Sequence, residues 1–176
     1  RVSEKAVKMN RILVYRIGSI GDTLVSLPAF WALRKAFPES HLTYLTNGET
    51  DNADDLIARR LLPEGLFDEW IAYSKDFIKA APRLIWSLRK GKYDALIYLM
   101  TRNREPYRIR RDLMFFRAAG IKKVFGAKYL LSNHLTMTPE KPVKAVESEL
   151  EYLVNCLYAE ELGNLPPKHA LTPDLR

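Results

Sequence analysis

The chain has one cysteine, Cys156, among 176 residues. That excludes an internal disulfide and favours a reducing, intracellular setting. Histidine is nearly as scarce. His41, His134 and His169 stand far apart, with none of the spacings of a zinc site. No apolar run approaches the length needed to cross a bilayer. The opening RVSEKAVKMN lacks the apolar core of a secretory signal. Glycine is thin too, at eight residues, and its grouping excludes two nucleotide motifs. A P-loop needs Lys-Ser/Thr after its last glycine, whereas Asp22 and Thr23 follow Gly21. A dinucleotide fingerprint needs three glycines as GxGxxG, and GSIG supplies only Gly18 and Gly21. No Asp-x-Asp pair occurs. The acidic run DNADD (51–55) reads as a helix start, so no metal and no cofactor are expected.

What the chain has in excess is positive charge. The formal net charge is +7 and the pI about 9.5. That admits nucleic acid, a nucleotide, a phosphorylated sugar or an acidic membrane as partner, without choosing among them. Hydrophobic residues at 47% and charged residues at 28% are ordinary for a globular domain, and the length suits one domain with a real core.

Along the chain, strand and helix signals alternate. RILVYRI (11–17), HLTYLT (41–46), FDEWIAYS (67–74), YDALIYLM (93–100) and KKVFGA (122–127) read as strands. Helices are expected over 23–37, 52–62, 77–92, 108–121 and 144–163. Pro28 falls in the first turn of its helix and Pro38 ends it. Pro82 is expected to kink the start of the helix over 77–92. The proline-rich stretch 164–176 reads as a linker, and residues 1–10 as an N-terminal extension. This alternation predicts an α/β domain over 11–163: a Rossmann-like, mostly parallel sheet with helices on both faces.

Two stretches could carry chemistry. In RIGSIGDT (16–23) a strand feeds a helix through glycines, which points backbone N–H groups and a positive dipole end at a ligand. Taken alone, that spacing favours Asp22 as a helix cap. TRNREPYRIRRD (101–112) carries Arg102, Arg104, Arg108, Arg110 and Arg111. Guanidinium groups suit phosphates and carboxylates. Arg110 and Arg111 read as a solvated helix face. For Arg102 and Arg104 a cleft role and a surface role weigh equally. No stacking aromatics or reader motif accompany them, so no nucleic acid is expected. Trp31, Trp70 and Trp86 sit in periodic segments and read as core. Cys156 reads as packing and Tyr15 as buried.

The longer string ILVYRIGSIGDTLVSLPAFWALRKAFPESHLTYLT (12–46) resembles the start of glycosyltransferase family 9, the ADP-heptose:lipopolysaccharide heptosyltransferases. The matching positions are Arg16, Gly18, Ile20, Gly21, Asp22, Pro28, Leu33, Arg34 and Pro38. KYDALIYLM (92–100), AAGIKKVFG (118–126) and VESELEYL (146–153) resemble later family segments more loosely. Two departures stand out. Tyr98 to Arg102 replace the family's Asp and Gln-Gly, and the histidine before the last helix is missing.

The resemblance implies the N-terminal half of a GT-B fold, the acceptor-binding lobe, with the donor-binding lobe absent from this chain. It implies inverting transfer of heptose or a related sugar from a nucleotide-sugar to a lipid A–Kdo core. Asp22 would be the general base. Gly18, Ser19, Ile20, Gly21, Thr23, Arg102 and Arg104 would contact substrate. The setting it implies is cytoplasmic, with peripheral contact to the inner membrane surface. Alternative readings are a non-catalytic lobe that binds an anionic glycolipid or a protein, and an unrelated Rossmann-like module.

Overall fold

Five strands assemble into one all-parallel sheet whose three central strands are apolar and largely buried. The computed structural model describes residues 9–48, 52, 56–74, 77–133, 148–160, 162 and 165–171. In chain order the elements are β1 (Arg11–Tyr15), α1 (Ile20–Val25), α2 (Leu27–Ala36), β2 (His41–Gly48), α3 (Ile57–Leu61) and β3 (Glu69–Ser74). They continue with α4 (Phe77–Gly91), β4 (Ala95–Tyr98), α5 (Pro106–Ala118), β5 (Lys123–Phe125), α6 (Ala127–Ser132) and α7 (Glu149–Tyr158), then a 3₁₀ turn, Lys168–Leu171. The strand order is β3-β2-β1-β4-β5. The chain reverses direction of travel between β1 and β4, so a crevice opens at their C-terminal ends.

The two faces of the sheet can be read from the register. Val14 stands beside Tyr44 and Tyr44 beside Trp70, so these share one face. There Phe30 of α2 meets Tyr44 edge-on at 5.5 Å, and Phe67 closes the cluster. Tyr15 and Tyr98 share the other face, where Phe116 of α5 packs on Tyr15 at 4.9 Å. Helices therefore cover both faces, as the alternation predicts. Ile12, Leu13, Val14, Leu42, Leu45, Leu96 and Ile97 between them have no exposed surface.

Several local readings change. The helix expected over 23–37 is two helices. Ser26 ends α1, its hydroxyl donating to the Asp22 carbonyl at 2.7 Å, and Pro28 opens α2. Pro82 lies inside α4. The segment 127–132, which carries no clear periodicity, forms α6. Gly126 starts it at φ 89°, and a Cβ there would meet the Tyr98 carbonyl oxygen at 2.5 Å. Trp86 is 66% exposed and Trp31 about a third exposed, so neither is core. Trp70 does join the aromatic cluster, while Tyr15 and Cys156 are buried.

At the edges, Met9 is buried and Asn10 N–H donates to Asp94, which ties both residues to the domain. The 3₁₀ turn rests against α2, with Lys35 Nζ donating to the Ala170 carbonyl. The extension over 1–8, the acidic run 51–55 apart from Asn52, and the start of the late helix at 144–147 lie outside the described residues.

Candidate active site

The loop from β1 to α1 is built around Asp22. Ser19 caps α1, and Asp22 is its third residue, so the two close a reciprocal capping box. The Ser19 N–H and hydroxyl both donate to Asp22 Oδ2, at 2.6 and 2.7 Å. Gly18 makes this possible. Its φ is 150°, and a Cβ there would stand 2.6 Å from the Asp22 Cβ and 2.7 Å from Oδ2. Gly21 is different: a Cβ there would meet only Ser19 Oγ, at 3.6 Å. Gly18, Ser19, Ile20 and Gly21 are all exposed. Thr23 turns inward, its hydroxyl on the Ser19 carbonyl.

Asp22 Oδ1 faces the other way, 3.7 Å from the guanidinium of Arg16. Arg16 follows β1 directly and is wholly buried. It donates to the carbonyls of Asp22 at 3.2 Å and Leu99 at 3.4 Å. Its other terminal nitrogen lies 3.9 Å from Glu149 Oε1, at the first turn of α7. Arg16 Nε and Glu149 Oε1 have no hydrogen-bond partner among the described residues. Sequence reasoning missed Glu149. Its pairing with Arg16 is a tertiary contact, and no local pattern announces it.

These environments move the two carboxyls apart. Burial pushes Asp22 up, but the Ser19 hydroxyl and N–H and the Arg16 charge outweigh it and hold the carboxyl below its ordinary value. Burial raises Glu149, with Arg16 and Arg102 opposing and the Asp22 charge adding to the rise. Burial also lowers Arg16, against the pull of both carboxylates.

The two predicted arginines part company. Arg102 is 9% exposed, its guanidinium lying 4.5 Å from the centre of the Tyr152 ring on α7. It sits beside Glu149, within the same crevice. Arg104 faces a different neighbourhood. Its guanidinium donates to buried Asp112 and to the Tyr98 hydroxyl. Arg111 grips the other Asp112 oxygen at 2.8 Å, so it is more than a solvated residue, while Arg110 is exposed.

Beside the Asp22 loop lies a cavity of about 310 Å³. Gly18, Ser19 and Thr23 line one wall, Thr46 and Asn47 of β2 a second, and Ile57 of α3 a third. Ile20, Leu24, Ile57 and Leu61 leave apolar side chains exposed on the adjoining helices. Among the described residues no three His, Cys, Asp or Glu side chains gather as a metal site, and no helix is long and apolar enough to cross a membrane. The arrangement offers a carboxylate about a third exposed, with one oxygen fixed by Ser19 and the other 3.7 Å from Arg16, after the C-terminal end of β1.

No protein-family model matches the chain, and no curated protein matches it by sequence. Among solved structures, it resembles the crystal structure of the glycosyl transferase family 9 from Veillonella parvula DSM 2008, with a TM-score of 0.54 and 20% sequence identity. The match covers 88% of this chain and 41% of that one, so this chain spans well under half the length of its structural neighbour. The likeness is one of fold: a Rossmann-like α/β domain similar to part of a glycosyltransferase.

Proposed function

We propose that this chain is the acceptor-binding lobe of an inverting glycosyltransferase and that Asp22 is its general base. The observation that carries the reading is the division of labour within one carboxylate. Oδ2 accepts both Ser19 bonds and holds the loop. Oδ1 has only the long approach of Arg16 and remains available to take a proton. The fold likeness to a family 9 glycosyltransferase supports the reading of the chain as one lobe of such an enzyme.

In the proposed reaction the acceptor hydroxyl oxygen attacks the anomeric carbon of a nucleotide-sugar. The bond from that carbon to the diphosphate breaks, and the nucleoside diphosphate departs with the electron pair. The hydroxyl proton passes to Asp22 Oδ1. A lowered carboxyl is a weak base at rest, so its contribution comes from position and from timing. The hydroxyl becomes acidic only as its oxygen bonds to the electron-poor carbon.

The sugar in this reading is heptose or a relative, delivered from ADP-heptose or a similar donor held mainly by a second lobe. The acceptor is a lipid A–Kdo core, met at the inner face of the cytoplasmic membrane. Gly18 to Gly21 give the acceptor a side-chain-poor approach to the backbone. Arg102 offers positive charge beside the crevice to an acidic acceptor. Arg104 serves at one remove, fixing the loop after β4 through Asp112.

The test is Asp22→Asn in a chain that carries both lobes, assayed with ADP-heptose and a Kdo–lipid A acceptor. Transfer should fall about 10²–10⁴-fold, with acceptor binding kept. Wild-type turnover in that variant overturns the assignment.

A further inference from the structure

Arg16 is a buried cation shared by two carboxylates on opposite sides. Asp22 approaches one terminal nitrogen at 3.7 Å, and Glu149 approaches the other at 3.9 Å. We infer that Glu149 is a positioning residue for Asp22: by taking one side of the Arg16 guanidinium, it limits how much of that charge Asp22 receives. The inference rests on the proposed role of Asp22 as base, and it explains how a capped carboxylate beside an arginine keeps useful basicity.

Geometry supports it from three directions. Arg16 has no exposed surface, so water does not screen its field, and its charge must be answered by neighbours. Asp22 alone could answer it, yet the chain brings a second carboxylate from α7. Glu149 is only partly compensated there. Its Oε1 is buried without a hydrogen-bond partner among the described residues. The capping box of α7 is already closed by Ser148 and Glu151, so Glu149 is not needed as a cap. An acid with one oxygen buried and unbonded beside a buried cation fits a role exercised through Arg16.

The groups that face this cluster come from four places. Asp22 and Ser19 belong to the β1–α1 segment, with Arg16 at its root. Tyr44 of β2 and Cys156 of α7 face Arg16. Arg102, after β4, gives Glu149 a backbone N–H and a positive charge. Tyr152 lies one turn along α7. Burial raises Glu149 and the Asp22 charge raises it further, as expected for like charges that sense each other across one cation.

Coupling between two titrating groups is reciprocal, which supplies a test that needs no turnover. Carboxyl-carbon NMR titrations of this chain would follow Asp22 in wild type and Glu149→Gln, and Glu149 in wild type and Asp22→Asn. In Glu149→Gln the Asp22 midpoint should fall by about 0.5–1 in pH. In Asp22→Asn the Glu149 midpoint should fall by the same amount. Glu149→Asp, which keeps the charge but withdraws it, should give a smaller effect. If Glu149→Gln fails to fold, the Asp22→Asn arm reads the same coupling with Glu149 intact. Midpoints unmoved in both arms overturn the inference.

In a two-lobe chain, Glu149→Gln should move the acid limb of kcat/KM to lower pH and reduce the plateau. Coupled midpoints with no transfer by any form would sink the glycosyltransferase reading and leave the coupling standing. Transfer with uncoupled midpoints would do the reverse.

Discussion

Asp112 and Arg16 are both buried charged residues beside the ends of neighbouring strands, and their surroundings are opposites. Asp112 accepts from the Tyr98 hydroxyl at 2.8 Å, from Arg104 and from Arg111, so both carboxylate oxygens are engaged at hydrogen-bond distance. Arg16 reaches no carboxylate within hydrogen-bond distance, and its Nε has no partner among the described residues. The Asp112 network is closed. Its job is to hold α5 and the loop after β4 against the sheet. The Arg16 cluster is left open, with two carboxylates that share a cation and still face the crevice. An under-satisfied buried cation costs stability, and such costs gather where a fold carries chemistry.

The comparison can be broken or sharpened by substitution. Asp112→Ala should have the largest effect, because it takes the carboxylate partner from buried Arg104 and from the Tyr98 hydroxyl. A loss of about 3–5 kcal/mol is expected in urea unfolding. Gly18→Ala comes next, at about 1–3 kcal/mol, since a Cβ at φ 150° would collide with Asp22. It should also loosen the Ser19–Asp22 box without disturbing Asp112, visible as faster amide exchange at 19–22 alone.

Arg16→Met should cost less than Asp112→Ala, about 1–2 kcal/mol from the lost carbonyl hydrogen bonds. Asp22 and Glu149 are each about a third exposed and can turn to water. A loss equal to that of Asp112→Ala would erase the contrast between the two sites.

The smallest expected effect is that of Glu149→Gln on stability, and its sign is the informative part. Glu149 is raised in the fold, so its contribution is fully present below its ordinary value of 4.5. It is lost as pH rises through the folded value. The variant should therefore gain in Tm relative to wild type as pH climbs from 4 towards neutrality. Asp22 runs the other way. Its lowered carboxyl contributes above its ordinary 3.8 and loses that contribution as pH falls through the folded value. Asp22→Asn should flatten acid unfolding at the low end of the scale. A Tm difference independent of pH for either variant would contradict these environments.

Much of the architecture was legible because the central strands are short apolar runs buried on both faces. RILVY, HLTYLT and ALIY carry that pattern plainly, and the β1–α1 loop announces itself through Gly18 and Asp22. The break at Ser26 was hidden, since Pro28 is compatible with either one helix or two. Helix α6 was hidden as well, because its six residues are too few to show a period. Trp86 misled because it sits in a helical segment. Yet buried Leu84 and Leu88 lie one turn apart, which places Trp86 across the helix from them. The candidate site divides along the same line. The glycine loop and Asp22 as its cap are local and could be read from spacing, whereas the role of Asp22 as base came only from the resemblance to a family. The Arg104–Asp112 lock and the Glu149–Arg16 contact depend on which helices meet, and charge alone does not say which arginine finds which acid.

The main-chain oxygen of Asp22 is moored twice, by the Ser26 hydroxyl at 2.7 Å and by Arg16 at 3.2 Å. Neither tether involves its side chain. Position 22 is therefore gripped at two levels: the frame holds the stem of the residue through its carbonyl, while its head closes the Ser19 box. An amide installed there keeps both moorings of the stem and one acceptor for Ser19, so it changes the chemistry presented to the crevice with the least change to the loop, whereas a thiol would give up the box as well.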